Sequence, residues 1–341
     1  MRVLSTRELN RALLARQHLW RRSDASIPRV LEQIGGLQAQ YAPSMYVGLW
    51  SRMSGFLRPT LTRALEQRAV VQGTLMRATI HLVSAADYWP FAIAVRQSRR
   101  EWFLRVYRGE ADAAEFAAAA ATVRSLLAGG PQPRKVLEET VGRRLWSGLG
   151  LWLDLVRAPP SGTWERRRAD LYAVAEDWIE PVATPLPAAL DLLVRRYLRG
   201  FGPASEKEIA DWSGVPRETL RPALDRLALR RVVSEDGTVM VDLPGAPLPG
   251  DVPVPVRFLP VWDATLLVHA RRKAIIAEEY RPVVFNIKTP HSAATFLVDG
   301  TVAGVWRYEG GRVKVEPFAP MPRTARREVE EEASALTAFH A

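Results

Sequence analysis

The sequence of 341 residues contains no cysteine. This absence excludes disulfides, thiolate nucleophiles, and zinc or iron–sulfur centres held by cysteine. No apolar run approaches the roughly 20 residues that span a bilayer. The first residues, MRVLSTRELN, lack the apolar core and cleavage site of a signal peptide. Together these absences predict a cytoplasmic protein, long enough for several compact units of roughly 100 residues each.

Several catalytic motifs are absent as well. The five histidines are scattered, and no His-Glu-x-x-His pair is present. The sequence also contains neither a phosphate-binding P-loop nor a Gly-x-Ser-x-Gly nucleophile turn. We therefore expect neither a metal centre nor a bound cofactor.

Lysine is scarce, yet the chain is strongly basic. Only five lysines occur, and arginine supplies most of the formal net charge of +10 and of the pI of about 10.2. An excess of this size favours a polyanionic partner, most simply nucleic acid. The alternatives are a basic but inert surface, and an arginine content that partly reflects a GC-rich genome.

The clearest local structure is predicted for residues 203–242. Ser205 and Glu208 form a capping box before a short helix, and the letters SGVP predict a turn before a second helix. β-rich arms around an Asp-Gly pair then predict a hairpin. This order of elements is typical of a winged helix. Arg217 and Arg221 lie one turn apart on its second helix, and we predict that they contact DNA, although many winged helices serve only as a scaffold.

Weaker versions of this pattern occur twice before residue 203, and the composition of the sequence changes after residue 245. Beyond a Pro/Gly-rich linker, strand-like segments predict a small, strongly curved sheet or barrel, and an amphipathic helix closes the chain. The predicted fold class is α+β, with three tandem winged-helix units and a C-terminal β-barrel-like domain. The predicted units cover residues 1–110, 111–183, 184–245 and 246–341.

Two uncharged side chains stand out in the segment GGLQAQYAPSMYVGLW, residues 35–50. Gln38 and Gln40 would lie on different sides of a regular helix but would point the same way in extended backbone. The Gly-Gly pair before them and Pro43 after them oppose a continuous helix. The pattern indicates either two amides that converge on one small volume or two ordinary hydrogen bonds to nearby backbone.

Four segments occur in the order GLQAQYAPSMYVGLWSR, LMRATIHLVSAADYW, LPVWDATLLVHARR and FLVDGTVAGVW. In this order they resemble the AlkZ/YcaQ family of bacterial winged-helix DNA glycosylases, over nearly the whole chain. The family's Gln-x-Gln motif, typical of its AlkZ-like branch, is present as Gln38-Ala39-Gln40, whereas the YcaQ-like branch has Gln-x-Asp. The resemblance implies a C-shaped molecule around DNA that excises bulky N7-alkylguanine adducts. The resemblance also implies that some members unhook interstrand crosslinks. Members of this branch are further expected to give resistance to DNA-alkylating natural products.

The resemblance implies that Gln38 and Gln40 are catalytic, and the chemistry agrees with that role. An N7-alkylated guanine is cationic and leaves as a neutral base, so the enzyme must chiefly orient one water and stabilise a developing oxocarbenium ion. A glutamine does not titrate near pH 7, but its carbonyl accepts a hydrogen bond and its NH₂ group donates one. Our hypothesis is a monofunctional, metal-independent glycosylase in which the two amides hold the hydrolytic water.

Further contacts with DNA are predicted from weaker patterns. If the letters RATIH form a strand, Arg77, Thr79 and His81 share one face. The resemblance places this face near the DNA channel, and the alternative is a solvated wing. Asp263 and His269 lie in the family-like segment WDATLLVH, and neither is predicted to be catalytic. The remaining predicted DNA contacts are Arg271, Arg272, Lys273, and the hairpin residues Asp299 and Gly300.

Two other functions compete with catalysis. A non-catalytic winged-helix DNA-binding or regulatory protein would explain the charge and the helix-turn-helix pattern. The polar glutamine pair, the predicted barrel and the lack of an obvious dimerisation helix argue against it. A lesion-binding protein that has lost catalysis is a third possibility. We therefore predict a monomer that acts on double-stranded DNA carrying alkylated guanine.

Overall fold

A computed structural model describes residues 1–109, 112–286 and 291–341. The α-helices are α1 (Thr6–Arg16), α2 (Ile27–Ile34), α3 (Ala42–Arg52), α4 (Arg58–Glu66), α5 (Ala85–Val106), α6 (Ala113–Leu127), α7 (Arg134–Leu149), α8 (Ala175–Trp178), α9 (Leu186–Phe201), α10 (Glu206–Ser213), α11 (Arg217–Arg226), α12 (Arg281–Val284) and α13 (Arg323–His340). The strands are β1 (Arg2–Leu4), β2 (Leu37–Gln38), β3 (Val70–Thr74), β4 (Ile80–Ser84), β5 (Gln132–Pro133), β6 (Leu155–Arg157), β7 (Leu171–Val174), β8 (Arg230–Ser234), β9 (Val239–Asp242), β10 (Arg257–Leu259), β11 (Phe285–Asn286), β12 (His291–Ser292), β13 (Ala294–Val298), β14 (Thr301–Glu309) and β15 (Arg312–Pro317). The mixture of helices and sheets confirms the α+β class. Across the described residues, every helix is too short or too polar to cross a bilayer.

The largest sheet has six strands in the order β2-β4-β3-β6-β7-β5. It joins the first two predicted units, because β3 pairs with β6 through Gly73 and Val156. Strand β2 forms one edge of this sheet. Consecutive residues of β4 point to opposite faces, and Leu82 and Val83 accordingly pack into two separate hydrophobic clusters. The sheet is therefore covered on both faces, and β2 lies at its margin.

The third predicted unit contains every local element expected from its sequence. Ser205 and Glu208 form the capping box of α10, and α11 and the β8–β9 hairpin follow. The sequence did not predict that β1 pairs in parallel with β8, with Arg2 opposite Val232. The first residues of the chain thus complete the sheet of the third unit.

The C-terminal region forms an open sheet, which corrects the predicted barrel. Its four strands are ordered β10-β13-β14-β15, and in the described part of the chain β10 and β15 do not pair with each other. Four strands are too few to close a barrel around a filled interior. Helix α13 instead packs against the sheet, with Val329 and Leu336 buried in the same cluster as Phe258.

Two segments predicted as strands are mostly not strands. In residues 256–270 only β10 forms a strand, and 3₁₀ turns follow from Ala264, where the Asp263 side chain accepts a hydrogen bond from the Thr265 amide. In residues 281–288 the chain forms α12 and then β11, and residues 287 and 288 lie outside the described residues. The predicted boundary between residues 110 and 111 also lies outside them.

Residues 143–149 form the end of α7. This helix runs through Leu149 and is interrupted at Gly142, where φ is 82° and ψ is 152°. The chain then enters β6, which pairs with β7. Strand β7 therefore lies inside the six-stranded sheet, between β6 and β5, so its edges are covered.

Candidate active site

The glutamine pair follows a sharp exit from helix α2. This helix ends at Ile34, and Gly35 and Gly36 both have φ of 80°. A side chain at Gly36 would meet the Val83 methyl at 2.9 Å and the Leu82 carbonyl oxygen at 3.0 Å. Glycine is therefore required here both by the left-handed backbone and by the close approach of β4.

The backbone around the two amides is extended, as the Gly-Gly and proline signals predict. Gln38 in β2 lies opposite His81 in β4, and the Ala39 amide continues the ladder by donating to the Ile80 carbonyl at 2.8 Å. The Gln38 Nε2 donates to the Gln40 Oε1 at 2.5 Å. The two side chains thus converge, with Gln38 half-buried and Gln40 exposed.

Arg77 contacts the pair, although not in the way the sequence predicts. The letters RATIH become a strand only at Ile80, because Arg77 and Ala78 adopt left-handed backbone with φ of 53° and 56°. The assumed strand face for Arg77 is therefore wrong. Its guanidinium instead donates to the Gln38 Oε1 at 3.3 Å and to the carbonyl oxygen of Trp212 in α10. Burial lowers the pKa of Arg77 to about 10, so it stays cationic at neutral pH.

His81 is buried and uncharged at neutral pH. Burial, and secondly the charge of Arg77, lower its pKa to about 3. Its Nδ1 donates to the Thr79 carbonyl at 3.0 Å, and the Thr79 hydroxyl donates to the Met76 carbonyl at 3.1 Å. This geometry favours His81 as a neutral neighbour of Gln38, and it offers no cation to a phosphate.

Hydrogen bonds connect Arg77, Gln38 and Gln40 in series. Arg77 donates to the carbonyl of Gln38, and the NH₂ group of Gln38 donates to the carbonyl of Gln40. The NH₂ group of Gln40 forms no hydrogen bond with the residues that the structure describes, and each amide oxygen has a second lone pair. The pair is therefore oriented from one side and can still bind a small polar molecule from the other.

The predicted contacts on α11 are exposed. Arg217 lies at the first turn of this helix, and Arg221 lies one turn later with its guanidinium 3.6 Å from the Glu206 carboxylate. A surface ion pair of this kind is weak and can exchange its partner. Lys273 is also exposed, whereas Arg272 lies over the ring of Phe285 at 5.0 Å.

Arg271 is bound within the fold. Its guanidinium donates to the carbonyls of Pro203 and Phe201 at 2.7 and 2.9 Å, and to the Glu208 carboxylate at 3.2 Å. These contacts favour a structural role, because they join the 3₁₀ segment around residue 271 to the start of α10. The sequence could not show these contacts, because a run of basic residues has the same pattern whether its side chains are solvated or paired with other groups.

The Asp299-Gly300 turn is formed as predicted, but its position differs from the expected one. The Asp299 carboxylate accepts from Arg11 at 2.6 Å and from Arg7 at 2.9 Å, and the Gly300 carbonyl accepts from Asn10 at 2.8 Å. The tip therefore packs on α1, and a side chain at Gly300 would meet the Arg11 guanidinium. These contacts favour a structural role for the turn, and the predicted contact of Asp299 and Gly300 with DNA stays a prediction.

Sequence reasoning missed one buried ion pair beside the site. The Arg52 guanidinium donates to the Asp263 carboxylate at 2.9 Å, and both side chains are fully buried. Arg52 is the last residue of α3, the helix that begins two residues after Gln40. The pair thus anchors this helix to the C-terminal region. Among the described residues, no group of three or more metal-ligating side chains is present.

Buried histidines predict that acid weakens the fold. Burial is the first cause of the lowered pKa of both His81 and His269, and both ring nitrogens of His269 lack a hydrogen-bond partner within the described chain. Below a pH of about 6.5 the unfolded state binds more protons than the folded state. The contribution of these histidines to the free energy of unfolding is therefore fully present above this pH and decreases as the pH falls below it.

We expect the free energy of unfolding to be lower at pH 5 than at pH 7 by roughly 2 kcal/mol for each of these two histidines. His269→Phe keeps an aromatic ring beside Tyr197 and Phe201 and removes one titratable imidazole. Urea unfolding of this variant should show a smaller difference between the two pH values than the unchanged protein. An identical difference in the two proteins would contradict the assignment to His269.

Comparison with known proteins identifies the class. Residues 31–339 match the family described as DNA glycosylase AlkZ-like, so the chain belongs to the AlkZ-like DNA glycosylase family. The resemblance inferred from sequence is thereby confirmed. In fold the chain is similar to the Streptomyces sahachiroi DNA glycosylase AlkZ, with a TM-score of 0.83 and 20% identity over 99% of this chain and 97% of that one. No curated protein matches the chain.

Proposed function

We propose that the chain hydrolyses the N-glycosidic bond of cationic, bulky N7-alkylguanines in double-stranded DNA, without a metal. The observation that carries this proposal is the directly bonded pair of amides, Gln38 and Gln40, oriented by Arg77. Repair of alkylation damage, or resistance to a natural product that alkylates DNA, is the biological setting that this substrate class fits. Interstrand crosslinks through N7 of guanine belong to the same chemistry.

The reaction requires little acid–base catalysis. The bond between C1′ and N9 breaks, and the cationic base takes the electron pair and leaves as a neutral molecule. Water forms the new bond to C1′ and loses its proton to solvent. The free lone pair on the Gln40 Oε1 can accept a hydrogen bond from this water and so fix its orientation. An amide cannot take the proton, so only an activated leaving group suits this site.

Binding of undamaged duplex is assigned to exposed cations outside the pair. Arg217 and Arg221 on α11, together with Lys273, are the predicted contacts whose side chains remain at the surface. We propose that they contact phosphates, which position a duplex without reading its sequence. His81 and Arg271 are proposed to support the fold, because their polar groups are buried or already bonded.

The test is release of free base from duplexes that carry N7-methylguanine or larger N7-alkylguanines, measured under single-turnover conditions with and without EDTA. We expect release of the modified base in both conditions. The same assay with a crosslinked duplex tests unhooking. Tight binding of one duplex sequence with no base released would contradict the proposal and would identify a regulator instead.

A further inference from the structure

One exposed aromatic side chain directly follows the glutamine pair. Tyr41 is the next residue after Gln40, and it is 46% exposed. It lines a pocket together with Tyr308, which is also exposed. Exposed aromatic rings that meet in a concave surface mark a ligand site more often than scattered rings do.

This pocket, which we call the tyrosine pocket, forms where separate parts of the chain meet. The start of α3, the loop between β6 and β7, strand β14 and the end of α13 all contribute to its walls. Its volume is about 270 Å³. This volume lies just below the range of pockets that hold drug-sized molecules, so the pocket suits one small ring system.

Packing fixes the walls of the tyrosine pocket. The Ser161 hydroxyl accepts a hydrogen bond from the Asp170 amide at 2.7 Å, which closes the loop between β6 and β7. Trp164 of this loop is buried and meets His340 edge to face, with their ring centroids 5.1 Å apart. The Tyr308 ring stacks on the same histidine at 4.4 Å. Side chains that are fixed in this way lose little conformational entropy when a ligand packs on them.

The tyrosine pocket is lined by positive charge, and no acidic side chain of the described chain lines it. Arg167 is exposed, and its Nε donates to the Trp164 carbonyl at 3.4 Å. The two terminal amino groups of Arg167 have no partner among the described residues. Arg307 differs, because it pairs with Glu309 and Glu316 at 3.3 Å each. Arg167 is therefore the cation of this pocket that can bind a phosphate without losing another partner.

The chemistry of the tyrosine pocket matches one nucleotide. A nucleobase is flat and stacks on aromatic side chains, and its phosphate binds a guanidinium. Ser44 also lines the pocket, and its buried hydroxyl has no hydrogen-bond partner in the part of the chain that the structure describes. A hydroxyl both donates and accepts hydrogen bonds, so a nucleobase edge that reached it would satisfy it.

Size and position indicate which base enters the tyrosine pocket. The damaged base must keep its glycosidic bond at the glutamine pair, and its bulky N7 substituent makes it too large for a pocket of about 270 Å³. The base opposite the lesion is unmodified. It leaves the stack most easily once the lesion pair has opened, because an unpaired base costs the least free energy to extrude.

We propose that the tyrosine pocket binds the unpaired nucleobase opposite the lesion, with its ring on Tyr41 and a neighbouring phosphate on Arg167. The inference rests on the proposed function, because it assumes that the lesion lies at the glutamine pair, but it does not require that the lesion be hydrolysed. Binding in the pocket is non-covalent. It would keep the opened pair apart while the lesion lies at the glutamines.

Three duplexes of one sequence test this proposal by equilibrium binding. The first is fully paired, and the second carries a tetrahydrofuran abasic residue opposite cytosine, so that the cytosine is unpaired. The third carries tetrahydrofuran residues in both strands at this position. The second and third duplexes have the same phosphates, so the ratio of their affinities measures the contribution of the unpaired base.

The test variant is Tyr41→Ala, with Tyr41→Phe as the conservative variant. The Tyr41 side chain forms no capping hydrogen bond with α3, so its truncation leaves the helix start intact. Circular dichroism checks that each variant folds. The matched control is Tyr107→Ala, because Tyr107 is also an exposed tyrosine but does not line the pocket.

We expect the unchanged protein to bind the duplex with the unpaired cytosine about tenfold more tightly than the doubly abasic duplex, the contribution of one stacked base. Tyr41→Ala should lose most of this preference, whereas Tyr41→Phe and Tyr107→Ala should keep it. Equal affinity of the unchanged protein for the two abasic duplexes would overturn the proposal, and so would an intact preference in Tyr41→Ala. Equal losses of Tyr41→Ala with all three duplexes would also overturn it and would indicate contact with paired DNA.

Arg167→Gln tests the phosphate contact. We expect it to weaken binding of both abasic duplexes by the same factor and to leave their ratio unchanged, because both duplexes have the same phosphates. The slope of log affinity against log salt should become shallower by about one. An unchanged affinity and slope would overturn the assignment of Arg167.

Base release from an N7-methylguanine duplex separates this proposal from the proposed function. If no base were released but the affinity ratio still depended on Tyr41, hydrolysis would be wrong and the pocket assignment would be correct. If base release were normal and the ratio did not depend on Tyr41, the function would be correct and the pocket assignment would be wrong.

Discussion

Gln38→Ala and Gln40→Ala are each expected to lower single-turnover base release from an N7-methylguanine duplex about ten- to a hundredfold, with little change in duplex affinity. The two amides are neutral and contribute little to binding that depends on phosphate charge. Each forms part of the bonded series from Arg77 to Gln40, which we propose orients the water. The loss of one positioned hydrogen bond, worth about 1–3 kcal/mol, accounts for the expected change in rate.

Further variants separate catalysis from packing. The double alanine variant should be slower than either single variant but not by the product of their effects, because both side chains are proposed to act on one water. Gln40→Asp should retain more activity than Gln40→Ala, since it supplies an acceptor at the same position. Gln97→Ala is the matched control, because Gln97 is also exposed and its side chain bonds, within the described residues, only to Glu101 on its own helix. If both single alanine variants kept full activity and folded normally, the pair would be structural.

Asp263→Ala is expected to destabilise the protein by about 3–5 kcal/mol, because it leaves the buried Arg52 guanidinium without its counter-charge. Asp263 also accepts hydrogen bonds from the amide and hydroxyl of Thr265 at 3.1 and 2.8 Å. Arg52 retains the Gly48 carbonyl at 3.0 Å, which cannot neutralise it. Urea unfolding measures the loss.

An exposed ion pair provides the comparison for this variant. Glu331→Ala removes the partner of Arg327 on α13, where both side chains are largely exposed, and should cost only about 0.3–0.5 kcal/mol. Asp263→Asn keeps one acceptor oxygen for Arg52 and Thr265 and should retain base release in the folded fraction. Complete loss of release from a folded Asp263→Asn protein would show that this carboxylate takes part in the reaction.

The parts of the fold that follow from local sequence were predicted well. The capping box at Ser205 and the Asp-Gly turns form, because each depends on residues a few positions apart. The extended backbone at Gln38 and Gln40 was predictable for the same reason, since the glycines and proline around it act locally.

The parts that depend on distant residues were not predictable. Nothing near Asp299 in sequence indicates that its carboxylate meets Arg7 and Arg11 of α1. The contact of Arg77 with Gln38 likewise requires left-handed backbone at a non-glycine residue, which local preference disfavours and surrounding contacts impose. The open C-terminal sheet was unpredictable for the same reason. Hairpin signals specify which strands are neighbours, but they do not specify whether the first and last strands of a sheet pair with each other.

The parallel pairing of β1 with β8 has a consequence for synthesis of the chain. Arg2 pairs with Val232, so the first strand leaves the ribosome long before its partner exists. At about 5–20 residues per second, this separation corresponds to a delay of roughly 10–50 seconds. During this time the N-terminal strand has an unpaired edge, which can bind other chains. The sheet of the third unit can therefore be completed only after β8 is made, and it is completed by residues that were among the first to be made.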